Sequence, residues 1–254
     1  MLNKRMKVAG KTAVLLTAFL FWQQPVIVAQ EKVEKKEEGL KGWETSAAAG
    51  LTLTRGNSDT LLGNLNIQSS RKWPKEEVLL GTSFTYGETE SVKTTEALQA
   101  YGQYNHLFTE RLYGGVRLDF LHDDIADLQY RGTLSPMVGY YLVKNPNTRL
   151  SVEGGPSFIY EKQGDDTKGY IGARLAERLE HKFSEKARVW QSVEILPQID
   201  DVENYLIIAE VGAEAALTEH FSLRVVLQDY YDNQPAPDRQ KNDLKLIAAL
   251  AYKF

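Results

Sequence analysis

From Trp43 to Phe254, apolar and polar residues alternate with a period of two, in segments of about 10 to 15 residues divided by turn residues. A period of two is the pattern of a β-strand whose faces meet different surroundings. The last segment shows it most fully. Leu244, Leu246, Ala248, Leu250, Tyr252 and Phe254 fall on one face, and the alternate row carries Lys245 and Lys253. The first, Trp43 to Thr54, sets Ala47, Ala49, Leu51 and Leu53 against Ser46, Ala48, Gly50 and Thr52. The second sets Gly63, Leu65 and Ile67 against Asn64, Asn66, Gln68 and Ser70.

Charge enters the second face from the fifth segment, Leu112 to Asp123, which places Arg117 and Asp119 opposite Val116, Leu118 and Phe120. The later segments add Arg131, Glu153, Arg174, Arg178, Glu194, Glu210, Glu214 and Arg224 to the same row. Glu177 and Gln191 are the two blemishes on the apolar face.

Read this way the chain holds about twelve strands, and an even number returns both ends to one rim. The turns after even-numbered strands are tight, as at Trp73-Pro74-Lys75-Glu76 and Lys144-Asn145-Pro146-Asn147, and four of five carry an aromatic residue at their edge. The opposite set is mostly longer and acidic or glycine-rich, as at Asp200-Asp201-Val202-Glu203 and across Gly87 to Lys93. Short turns on one side and longer loops on the other mark the periplasmic and extracellular ends of a membrane barrel. The expectation is an all-β chain forming a single antiparallel transmembrane β-barrel with both termini periplasmic.

A soluble exported β-sandwich that binds a ligand would also alternate. Its wet face would be rich in Lys and Glu, whereas much of the second face here is Asn, Gln, Ser, Thr, Gly and Tyr. Those types suit a narrow lumen, where side chains must hydrogen-bond one another. The charges on that face have two readings, ion pairs that plug the lumen and a polar pathway lined by them.

Composition narrows the function. Among 254 residues there is no Cys, which excludes a disulfide framework, a thiol nucleophile and a lipid-modified cysteine anchor. Mean hydropathy is −0.38, which a barrel tolerates because only alternate residues meet lipid. Lys4, Arg5, Lys7 and Lys11 precede an apolar run, Thr12 to Trp22, and Val26-Ile27-Val28-Ala29 ends on a small residue. This reads as a signal peptide, residues 1–29, cleaved near Ala29. Cleavage takes the formal charge from −4 to −8, because all four charges removed are positive. An acidic mature chain gives no support to nucleic-acid binding. Residues 30–41 read as a flexible periplasmic lead-in and 42–254 as the barrel.

Candidate chemistry is sparse. His220, Ser222 and Asn233 are the residue types of a lipid-active hydrolase, but a whole strand, about 40 Å of chain, separates the first from the last. His122-Asp123-Asp124, Asp165-Asp166 and Asp200-Asp201 could attract a divalent cation, although loop charge explains them as well. The reading is therefore non-enzymatic, with no catalytic residue, no metal and no cofactor, and a lipid-active enzyme is the competing class.

Gly42-Trp43, the strand through Gly50 and the turn Gly56-Asn57-Ser58-Asp59 resemble the opening of an outer-membrane family of unknown function whose members are often called salt-induced outer-membrane proteins. Arg55 departs from the Ser expected before that turn. The resemblance implies an outer-membrane barrel with a role in salt or osmotic stress and supplies no catalytic residue. A terminal strand ending in Tyr252 and Phe254 likewise resembles the signal by which such barrels are recognised for assembly. The expected partners are outer-membrane lipid and, during biogenesis, periplasmic chaperones and the assembly machinery. The expected oligomeric state is a monomer.

Overall fold

The computed structural model describes residues 42–54, 60–235 and 240–254, which all belong to one unit, Glu38–Phe254. The signal peptide, the lead-in and the Arg55–Asp59 turn lie outside the described residues.

Twelve strands form among the described residues: β1 (Glu44–Thr54), β2 (Thr60–Lys72), β3 (Glu76–Thr89), β4 (Val92–Leu107), β5 (Leu112–Asp123), β6 (Leu128–Lys144), β7 (Thr148–Gln163), β8 (Asp166–Ser184), β9 (Ala187–Pro197), β10 (Tyr205–Ala216), β11 (Phe221–Asp232) and β12 (Asn242–Lys253). Each pairs antiparallel with its chain neighbours, and β1 pairs with β12 to close a barrel. No helix among the described residues is long and apolar enough to cross a membrane. Closure matters because an open edge would leave backbone N–H and C=O groups unpaired.

The closing seam is short. Its register runs from Ser46↔Lys253 to Ala49↔Leu250, four pairs, whereas β1 and β2 pair from Glu44↔Ser70 to Thr54↔Thr60. The wall is also uneven in height. β8 runs for 19 residues and β6 for 17, against 11 for β1.

The alternation predicts the faces correctly. Leu118 is 58% exposed and Leu246 68%, and both sit on the outward row, while Ala249 and Ala251 on the inward row of β12 are 6% and 1% exposed. Exposed Leu, Val, Ile and Phe side chains cover the outside of the barrel. An outward apolar band flanked by aromatic girdles is the pattern of membrane-spanning barrels. Aromatic residues border it at both rims. Trp43 meets Trp73 edge-on at 6.5 Å, and Tyr252 packs against Phe221 and Phe254, on the side of the chain termini. Tyr130 stacks on Tyr160, and Tyr205 on Tyr231, at the other rim.

The short turns are tied by side chains of their own. Thr109 Oγ1 accepts from the Leu112 amide at 2.9 Å, Asn145 Oδ1 from Thr148 at 2.6 Å, and Thr218 Oγ1 from Phe221 at 2.9 Å. These are the local bonds that favour Asn, Ser and Thr in turns. One expectation is corrected. The Gly87 to Lys93 stretch is not a loop, because β3 and β4 continue to Thr89↔Val92 and turn through Glu90 and Ser91, with φ of 53° and 62°. Two successive positive φ values make the tight turn whose twist matches that of the strands. Neither residue is glycine, so the sequence carries no signal for it.

Candidate functional site: the charged lumen

Inside the barrel two walls differ in chemistry. β2 to β4 present mostly uncharged groups such as Asn64, whose amide donates to Thr85 Oγ1 at 2.9 Å and Ser83 Oγ at 3.3 Å, with Glu77 of β3 buried near the termini and accepting from Tyr141 Oη at 2.7 Å. β5 to β11 present most of the charges.

The central cluster is built on Arg174 of β8, whose side chain is 4% exposed. The two adjoining strands each place a carboxylate within its reach, both level with Ala176. Nη1 donates to Glu153 of β7 at 2.8 Å and Nη2 to Glu194 of β9 at 2.7 Å. Glu153 also accepts from Tyr113 Oη at 2.8 Å and Gln103 Nε2 at 3.0 Å. Gln103 accepts in turn from Arg117 at 3.1 Å, and Arg117 is clamped on Asp119 at 2.7 Å. One network thus joins β4, β5, β7, β8 and β9.

Tyr113 reaches Glu153 by lying across β6 at Gly139, its register partner. A Cβ at Gly139 would stand 2.2 Å from the Tyr113 ring. Gly139→Ala should therefore displace the ring, break the Tyr113–Glu153 bond and destabilise the barrel by about 1–3 kcal/mol, read from urea unfolding in lipid vesicles. Unchanged stability would remove this role. Gly212 serves Trp190 in the same way, and the indole Nε1 then donates to Glu210 at 2.6 Å.

A second cluster lies nearer the rim opposite the chain termini. Arg131 of β6 pairs with Glu161 of β7, and its Nη1 donates to Tyr230 Oη of β11 at 2.5 Å. Lys168 and Tyr170 also reach Glu161, each at 3.3 Å. β6 and β11 stand almost opposite each other in the closed order. The Arg131–Tyr230 contact therefore crosses the lumen. A third cluster sits towards the termini, where Glu214 accepts from Arg188 at 2.6 Å, Arg224 at 3.1 Å and Ser222 at 2.6 Å.

Each charge singled out in the sequence lies on the inward row of its strand, but they do not act alike. Arg117, Asp119, Arg131, Glu153, Arg174, Glu194, Glu214 and Arg224 enter ion pairs. Glu210 binds Trp190 and Gln228 instead. Arg178 is exposed on that row and forms no ion pair among the described residues. Sequence reasoning passed over Glu77, Tyr113, Glu161, Arg188 and Tyr230. Glu161 and Arg188 could have been found by carrying the inward row to the ends of their strands. Tyr113 and Tyr230 could not, since a tyrosine in a strand reads equally as part of an aromatic girdle.

The hydrolase residue types do not meet. His220 contacts the Lys253 carbonyl at 3.2 Å, Ser222 donates to Glu214, and Asn233 caps the far end of β11, donating to the Glu203 carbonyl at 2.6 Å. Among the described residues no group of three or more His, Cys, Asp or Glu side chains is placed to hold a metal ion. Asp123 accepts from the Ala126 amide, and Asp201 accepts from Gln234, so both act in loop structure. Tyr252 and Phe254 stand on the outward face, with Phe254 N donating to the Thr45 carbonyl at 3.1 Å.

Solved structures similar to this chain are outer-membrane barrels. An outer membrane channel from Pseudomonas putida F1 aligns at 12% identity and a TM-score of 0.49, covering 88% of this chain and all (100%) of that one. The translocator domain of the autotransporter NalP from Neisseria meningitidis aligns at 13% and 0.45, covering 86% and 90%. The KdgM porin aligns at 8% and 0.46, covering 84% and 99%. No curated protein sequence matches the chain. The model of the family described as "Protein of unknown function, DUF481" matches residues 47–254, nearly the whole barrel, and the chain belongs to that family.

Proposed function

We propose that the protein is a non-enzymatic barrel of the bacterial outer membrane, exported by a signal peptide cleaved near Ala29. Both termini face the periplasm, and the lumen is a narrow polar passage held shut by its own ion pairs. The apolar belt with its aromatic rims supports the membrane setting. The observation that carries the passage is the crossing contact of Arg131 with Tyr230, backed by Glu161. A barrel needing only rigidity could fill its lumen with apolar side chains. This one fills it with charges that hold the lumen shut only through pairs that can be broken. The family resemblance adds a role in salt or osmotic stress to this reading.

The test is single-channel recording in a planar bilayer. The native barrel should conduct weakly, and Arg131→Ala should raise the mean conductance several-fold. Neutralising the unpaired Arg178 with glutamine should shift selectivity towards cations at unchanged stability. A bilayer silent for both the native chain and Arg131→Ala would sink the passage and leave a plugged structural barrel.

A further inference from the structure

Glu177 and Gln191, the two blemishes of the apolar face, come together on the outside of the barrel. Gln191 Nε2 donates to Glu177 Oε2 at 3.3 Å, and Gln191 is exposed. Their outward neighbours are apolar. Leu175 and Leu179 flank Glu177 along β8, and Val193 and Val211 lie on the adjoining strands. Asp229 of β11 lies on the same cross-strand row as Glu177, with Val193 and Ala209 between them. Its Oδ1 is shielded from solvent and has no hydrogen-bond partner among the described residues. The outward row of β10 between these groups, Ala209, Val211, Ala213 and Ala215, is small, unlike the Leu and Phe of β5.

A carboxylate and a carboxamide facing hydrocarbon are costly unless another polar surface covers them. In membranes, contacts between chains are made where small residues allow close approach and polar side chains bond across the interface. Gln191 has a second N–H to donate, and the Glu177 carboxylate has lone pairs left to accept it. The set carries both halves of a hydrogen-bonding match. A two-fold axis would make each such contact twice, as an isologous interface requires.

We propose that the outward face of β8 to β11 is an interface with a second copy of this chain, with Gln191 of each copy bonded to Glu177 of the other. This takes the place of the monomer expected from the sequence.

The chain has no cysteine, so one introduced thiol reports on one position. Val211→Cys, 53% exposed at the centre of the face, should form a disulfide-linked dimer when outer membranes carrying the full chain are oxidised. Leu118→Cys, 58% exposed on the opposite wall, should not. Gln191→Leu should leave folding intact by heat-modifiable gel mobility and raise the monomer–dimer dissociation constant about ten-fold, or about 1.4 kcal/mol. Equal cross-linking at both cysteines, cross-linking of Val211→Cys to a different protein, or an unchanged dissociation constant in Gln191→Leu would overturn the interface. Recovery of the chain outside the membrane fraction would instead fail the outer-membrane reading, so the two failures are distinguishable.

Discussion

Replacing Arg174 by leucine is expected to lower the stability of the folded barrel by about 3–5 kcal/mol, because it leaves two enclosed carboxylates without their cation. Glu153 and Glu194 lie 2.8 and 2.7 Å from the guanidinium, with side chains 13% and 18% exposed. Removing the charge between them exchanges two attractions for one repulsion across the same gap. Tyr113 and Gln103 still donate to Glu153, so that carboxylate loses its charge partner and keeps its hydrogen bonds. Urea unfolding of the barrel in lipid vesicles measures the effect. Arg178→Leu, on the same row of the same strand but exposed and without an ion pair, should stay within about 0.5 kcal/mol of the native chain. Adding Glu153→Gln and Glu194→Gln to Arg174→Leu should recover much of the loss. Equal effects at Arg174 and Arg178 would show that the central cluster is not a structural unit.

An arginine at Leu246 is expected to destabilise the barrel by about 2–4 kcal/mol, the cost of a cation on the outer face near the middle of the belt. Leu246 is 68% exposed on the outward row of β12, and its neighbours across β11 and along the strand are Leu227, Leu244 and Ala248. The adjacent Lys245 is native and tolerated because it points inward. Alternation alone suggests that Ile247 and Ala249, on the inward row, would accept a charge equally. The structure separates them. Ala249 is packed against Ala48 and Ala251 in the only small-residue cluster described at the seam, with Ile247 against its edge. Ala249→Leu should cost about 1–3 kcal/mol from overpacking, even though leucine is apolar. Unfolding midpoints for Leu246→Arg and Ile247→Arg give the comparison, and equal losses would show the faces to be reversed.

These expectations separate what can be read locally from what cannot. Strand number, the two faces and the tight turns were legible because each depends on a few neighbouring residues: alternation for the faces, and Thr109, Asn145 or Thr218 for the turns. Placing the charges inside was legible for the same reason. Their pairing was legible only as far as adjacent strands carrying opposite signs; Arg174 stands level with Gly155 and reaches diagonally to Glu153 and Glu194, both level with Ala176. Arg178 has the same row and the same chemistry as Arg174, and it forms no ion pair among the described residues. The Glu90-Ser91 turn was missed because its positive φ values are imposed by the flanking strands on residues that do not favour them.

By itself the sequence determined that the chain is a succession of two-faced strands with an apolar row and a polar row, an even count, and charge gathered on the polar row with Glu177 as an exception. Those are properties of single strands, repeated. Only the tertiary structure decided that Arg131 meets Tyr230, 99 positions away in the chain, that the seam between β1 and β12 holds by four pairs, and that Glu177 and Gln191 stand together on the outside. Each of those depends on the stagger and curvature of a closed wall, which bring together residues from strands that no local pattern relates.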